Sequence, residues 1–135
     1  MPTEISTRNK AALMGYYNAA QRGDIATVTA FFNPDFEMHA PDYLPYGGAH
    51  RGADHFVSEV LPLVASVLDF SRYESIQLIG EDEDVVSVVK LGVTGTDSTI
   101  IIVEHWKIRN DKAVSLWASY YEPKALMEQL KRVKG

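Results

Sequence analysis

TIIIVEHWKIRNDKAV, running from Thr99 to Val114, decides how this chain folds. Successive side chains of a strand point to opposite faces, so Ile100, Ile102, Glu104, Trp106 and Ile108 share one side and Ile101, Val103 and His105 the other. Apolar residues on both sides mark a strand covered twice. A sheet in a small domain has too few helices to cover both of its faces. It must curl around a cavity, meet a second chain, or do both. The same stretch sets a carboxylate, Glu104, on the side otherwise made of isoleucine and tryptophan.

Outward from this strand the periodicity divides the chain in two. Towards the C-terminus, strands are predicted near 71–79, 84–94, 98–109 and 113–121, joined by turns at GEDED, GTD and RNDK. Turns this short make an antiparallel meander, and a helix from Pro123 to Val133 closes the chain. The N-terminal half reads as helices. Leu13, Tyr16, Tyr17 and Ala20 follow helical spacing, Gly23 falls where a left-handed cap belongs, and Asp24 offers the N-cap of a second helix carrying Val28, Phe31 and Phe32. Asn33-Pro34 ends that helix. FEMHA is then a short strand and PDYLPYGGAHRG a turn-rich loop. A third helix starts at about Ala53, with a kink or break at Pro62. Helices at one end and a meander at the other define a single α+β domain over residues 1–135.

Composition narrows the function. At 135 residues and 46% hydrophobic the chain holds one core, and a net charge of -5 argues against nucleic acid as a partner. No cysteine is present, which excludes thiol catalysis and disulfides. The longest run free of polar residues, Val60 to Ala65, is far too short to span a bilayer, and the N-terminus lacks a secretory apolar region. The expected setting is the cytoplasm, with no membrane partner.

Three stretches together, YYNAAQRGDIATVTAFFNPDFEMHAP, LPYGGAHRG and VEHWKIRNDKAVSLWASYYEP, resemble the nuclear transport factor 2-like superfamily, and within it the ketosteroid isomerases and SnoaL-like polyketide cyclases. The resemblance covers nearly the whole chain. It implies a cone-shaped, strongly curved antiparallel sheet wrapped by N-terminal helices around a deep apolar pocket. It also places the oxyanion-binding tyrosine of the isomerases on Tyr16 and their protonated acid on Glu104. Their general-base aspartate falls on Ala40, so the site keeps its oxyanion donors and lacks its usual base. The function implied is enolate stabilisation on an apolar ketone, of isomerase or cyclase type. The other reading is a binding or assembly domain without catalysis.

The residues support part of this by themselves. A carboxyl on the face of Ile100, Ile102, Trp106 and Ile108 loses hydration on folding, which raises its pKa and lets the neutral acid donate a hydrogen bond. Tyr16 on the first helix is its expected partner. Asp42, two residues past Ala40, is the candidate base; its simpler reading is a carboxylate capping a turn after proline. Carrying alternation across the sheet gives Met38, Ala40, Val89, Leu91, Trp106, Leu116, Ala118 and Tyr120 as substrate-binding wall. On the outer face Ile101, Val103, Trp117 and Tyr121 suggest a homodimer. His50 and His55, five residues apart, are poorly spaced for one helix face, so no metal and no cofactor is expected. Tyr43 and Tyr46 can line the pocket mouth, and Arg51 reads as an anion anchor or as a solvated arginine.

Overall fold

The computed structural model describes residues 3–134, and its elements follow from the caps and periodicities of the sequence. Helix α1 (Glu4–Arg22) starts at Thr3, whose hydroxyl accepts from the Ser6 amide, and stops at Gly23 with φ 71. Asp24 caps the amide of Thr27 and opens α2 (Ile25–Ala30). Strand β1 runs from Phe32 to Ala40, so Asn33-Pro34 lies inside a strand and not in a break before it. Its pairing with the last strand is irregular between Phe32 and Glu37, and a proline without an amide is tolerated at such a point. The supposed loop contains a strand of its own, β2 (Gly48–Arg51), paired antiparallel with β1. Gly47 makes the return possible: a Cβ there would stand 2.4 Å from the Pro41 carbonyl oxygen.

The third helical region is divided. A short α3 (Ala53–His55) passes into a π-helical turn, Phe56–Val60, and then α4 (Leu61–Val67). Pro62 falls in the first turn of α4, where its missing amide costs no helical bond, so the expected break is absorbed by the wider turn before it. Strands β3 (Leu68–Glu81), β4 (Asp84–Val93), β5 (Thr99–Arg109) and β6 (Lys112–Tyr121) form the expected meander, and α5 (Lys124–Lys134) follows. Asn110 and Asp111, at φ 53 and 64, make the tight β5–β6 turn, both in the left-handed region that such hairpins require.

The six strands lie in the order β2-β1-β6-β5-β4-β3, antiparallel except for β1 beside β6. The sheet curves, and α1 with α4 covers its concave side, giving the α+β cone of the resemblance. Alternation holds along β5: Ile100, Ile102, Trp106 and Ile108 are buried, and Val103 on the other face is exposed. The N-terminal half of α1 is fastened by polar contacts as well as by apolar ones. Asn9 donates to the carbonyls of Asp82 and Ile108, and buried Ser6 accepts the amide of Asp82, so the β3–β4 turn closes against the helix.

Candidate functional site

Glu104 enters the concave face because its register on β5 sets it between Ser87 of β4 and Ala118 of β6. A carboxyl in this company needs hydrogen bonds. Tyr17 of α1 donates to Glu104 Oε1, and Ser87 Oγ stands 3.4 Å from the same oxygen. The Tyr17 hydroxyl, having given its single proton to Glu104, accepts from Ser87 Oγ at 2.7 Å and from Trp106 Nε1 at 3.2 Å. A chain of donors therefore ends on one carboxyl oxygen, and each bond polarises the next. Burial dominates nonetheless: desolvation pushes the Glu104 pKa up, and the bond from Tyr17 first of all offsets it only in part. The tyrosines around it are also pushed up, Tyr16 and Tyr17 by burial first and by the Glu104 charge second.

The partner of Glu104 is thus Tyr17, where the sequence pointed to Tyr16. Both are buried on the sheet side of α1, and helical periodicity defines that stripe without ranking two neighbours within it. Tyr16 stacks on Phe31 with ring centroids 5.0 Å apart and meets Trp106 edge-on at 5.4 Å. It still borders the same cavity as Glu104.

That cavity is walled by Met38, Val89, Leu91, Leu116, Ala118 and Tyr120 as expected, together with Ile102. Two expected members are displaced. Trp106 lies on the same face, since Val85 pairs with Trp106 and Leu91 with Ile100 in one register, but it is sealed behind the two tyrosines. Ala40 is partly buried against the core without bordering the cavity. Asp42 is exposed, in the turn after β1, and forms no part of the wall, so it is not placed to act as a base there. Alternation did not reveal Phe56, Leu61, Val64, Leu68, Phe70 and Tyr73, which close the opposite side. Phe70 and Tyr73 differ by three residues, yet both face inward because the β3–β4 register shifts between Asp69 and Tyr73. The rim is tied by the Tyr46 and Tyr120 hydroxyls, 2.8 Å apart; burial first of all pushes the Tyr46 pKa up to about 12.

The free volume of this cavity is about 30 Å³, the space of a water or two, whereas ligand pockets commonly hold roughly 300–1,000 Å³. A ligand must displace side chains to enter. A wider groove of about 570 Å³ runs between α1 and α2. It is shallow, and its charged members Arg8 and Asp111 already bind each other at 2.7 Å, so the smaller cavity is the candidate site.

A cavity with a partly buried acid, set in a curved sheet under helices, defines a small-molecule pocket protein. Residues 13–116 match the SnoaL-like domain, and the chain belongs to that family, within the nuclear transport factor 2-like superfamily. Solved structures repeat the fold. TerC, co-crystallised with polyporic acid, is 24% identical over 92% of this chain and 98% of its own, with a TM-score of 0.76. A nuclear transport factor 2-like protein of Burkholderia xenovorans LB400 is 23% identical over 91% and 95%, at 0.72. Bal32a, from a soil-derived mobile gene cassette, is 15% identical over 93% and 98%, at 0.75. No curated protein sequence matches the chain. Among the described residues no helix is long and apolar enough to cross a membrane.

Proposed function

We propose that the protein binds an apolar ketone in this cavity and stabilises its enolate, in the manner of an isomerase or cyclase. The observation that carries the reading is Glu104: an acid walled by apolar residues, with the Tyr17 hydroxyl donating to Oε1 and its pKa raised by burial. In this scheme the carbonyl oxygen of the ligand accepts from the neutral carboxyl of Glu104 and from Tyr16. As a basic group of the substrate itself takes the proton from the α carbon, negative charge develops on the carbonyl oxygen and both bonds strengthen, which stabilises the enolate over the ketone. Tyr17 acts through Glu104, holding its carboxyl in one orientation. Among the described residues the wall supplies apolar contact and no cation, so an uncharged ligand is favoured. TerC, of the same fold, was co-crystallised with an organic small molecule, which agrees with a pocket role.

The second reading, binding without turnover, is favoured by Ala40 at the position where the isomerases carry their base and by the exposed turn position of Asp42. We further place the protein in the cytoplasm as a homodimer, joined through the convex face, where Val103, Trp117 and Tyr121 are exposed.

The test is titration of a phenolate or other enolate mimic against the wild type, Glu104→Ala, Glu104→Gln and Tyr16→Phe. Glu104→Ala is expected to weaken binding by about 1.5–3 kcal/mol, the range for a hydrogen bond to a charged group. Glu104→Gln keeps a donor and retains part of the affinity. Equal affinity in all four proteins removes the oxyanion reading. Turnover of a β,γ-unsaturated ketone separates enzyme from binder, and Asp42→Asn is expected to leave that turnover unchanged.

A further inference from the structure

His50 and His55 stand apart from the cavity chemistry. The structure puts them on different elements, β2 and α3, so their spacing along one helix no longer bears on what they can hold together. His50 Nε2 lies 3.0 Å from the Tyr46 carbonyl oxygen and 3.2 Å from that of Gly47. A carbonyl only accepts, so Nε2 carries the hydrogen, and Nδ1 of the neutral ring is left with a lone pair. That lone pair meets His55 Nε2 at 3.2 Å, with the rings inclined by 26°.

We infer that this pair is a seat for a divalent late transition metal ion. Two nitrogens 3.2 Å apart are spaced as two ligands of one ion whose metal–nitrogen bonds are about 2.0–2.1 Å and meet at roughly 100°. The far nitrogen of His50 is already bonded to backbone carbonyls, the outer support that metal-bound histidines use to hold tautomer and ring orientation. Without metal, His55 Nε2–H donates to His50 Nδ1. With metal, His55 moves its hydrogen to Nδ1 and the two rings turn so that both lone pairs converge on the ion, with no net proton released. His55 is exposed, which gives the ion a path from solvent. Among the described residues no third His, Cys, Asp or Glu joins the pair, so water completes the coordination and nickel and copper are preferred over manganese or iron. The other two described imidazoles, His39 and His105, are held by carboxylates: His39 Nε2 by Glu37 at 2.7 Å and His105 Nε2 by Asp84 at 2.9 Å.

The site bears on the pocket through position. Phe56, next to His55, lines the cavity, and Tyr46, whose carbonyl holds His50, bonds Tyr120 of its wall. A bound ion joins β2 to α3 and stiffens that side of the cavity.

The experiment is calorimetric titration of Ni²⁺ into the untagged full chain, with the melting temperature measured in parallel. One ion per chain is expected, with a rise in melting temperature. His50→Ala and His55→Ala are each expected to weaken binding about tenfold or more, and the double variant His39→Ala with His105→Ala to bind as the wild type does. Electron paramagnetic resonance of the wild type with one equivalent of Cu²⁺ is expected to show two imidazole nitrogens, a readout that does not depend on the variants folding. No Ni²⁺ binding up to millimolar concentration, undiminished binding in either ligand variant, loss of binding in the control variant, or fewer than two imidazole nitrogens on copper would each overturn the assignment.

Discussion

Glu104 and His105 are neighbours on one strand and live in different solvents. Glu104 faces the cavity, and desolvation pushes it towards the neutral acid. His105 faces out, half exposed, and its ring reaches Asp84 at 2.9 Å. The same contrast runs across the sheet. Its concave side holds Val89, Leu91, Ile102, Trp106 and Leu116, while its convex side shows Trp117 stacked on His39 at 3.8 Å, with Val103 and Tyr121 in the open. Alternation of side chains by itself separates a site able to hold a neutral acid from a surface dressed with ion pairs and loose aromatics.

The two tryptophans give the sharpest way to break this comparison. Trp106 is 1% exposed and Trp117 58%. Trp106→Ala is expected to cost about 3–5 kcal/mol of stability in urea unfolding, whereas Trp117→Ala stays within about 0.5 kcal/mol if the chain is monomeric. A large loss for Trp117→Ala that depends on protein concentration would instead reveal the dimer, and sedimentation of the wild type at micromolar concentration decides the matter. Next in size is Tyr17→Phe. It leaves Glu104 Oε1 without its main donor, and unfolding should show a loss of about 1–3 kcal/mol, larger than for Tyr16→Phe.

A subtler effect is the dependence on pH. Glu104 has its folded pKa above its unfolded value, so the folded state binds more protons through the interval between the two. The stability this acid contributes is present below the unfolded value and is lost as pH rises through the folded one. The melting temperature of the wild type minus that of Glu104→Gln should therefore fall as pH increases from about 4, then level off. A difference that rises with pH would mean that Glu104 is ionised and paired, and the proposed donor would be lost.

Much of this site was legible because its parts repeat with a fixed period. The strand TIIIVEHW announced a carboxyl on an apolar face turned to the core, and six of the eight expected wall residues border the cavity. The remainder failed for particular reasons. Phe70 and Tyr73 share a face only through a register shift, and no local signal in SRYES places it. Phe56 and Val64 face inward through a π-turn that accommodates Pro62. His50 and His55 meet because β2 turns back on β1, a pairing hidden in a stretch that reads as turns.

What the sequence determined by itself was the class of the fold, the faces of the meander and the presence of an acid in an apolar wall, since these depend on alternation and on the caps of single elements. Tertiary structure alone decided that Tyr17 and not Tyr16 bonds Glu104, that Asp42 lies outside the cavity, and how little space remains within it. Those outcomes depend on where helices and strands come to rest against each other, and an ångström of displacement or a slip of one residue is enough to change a hydrogen-bond partner while every local pattern stays the same.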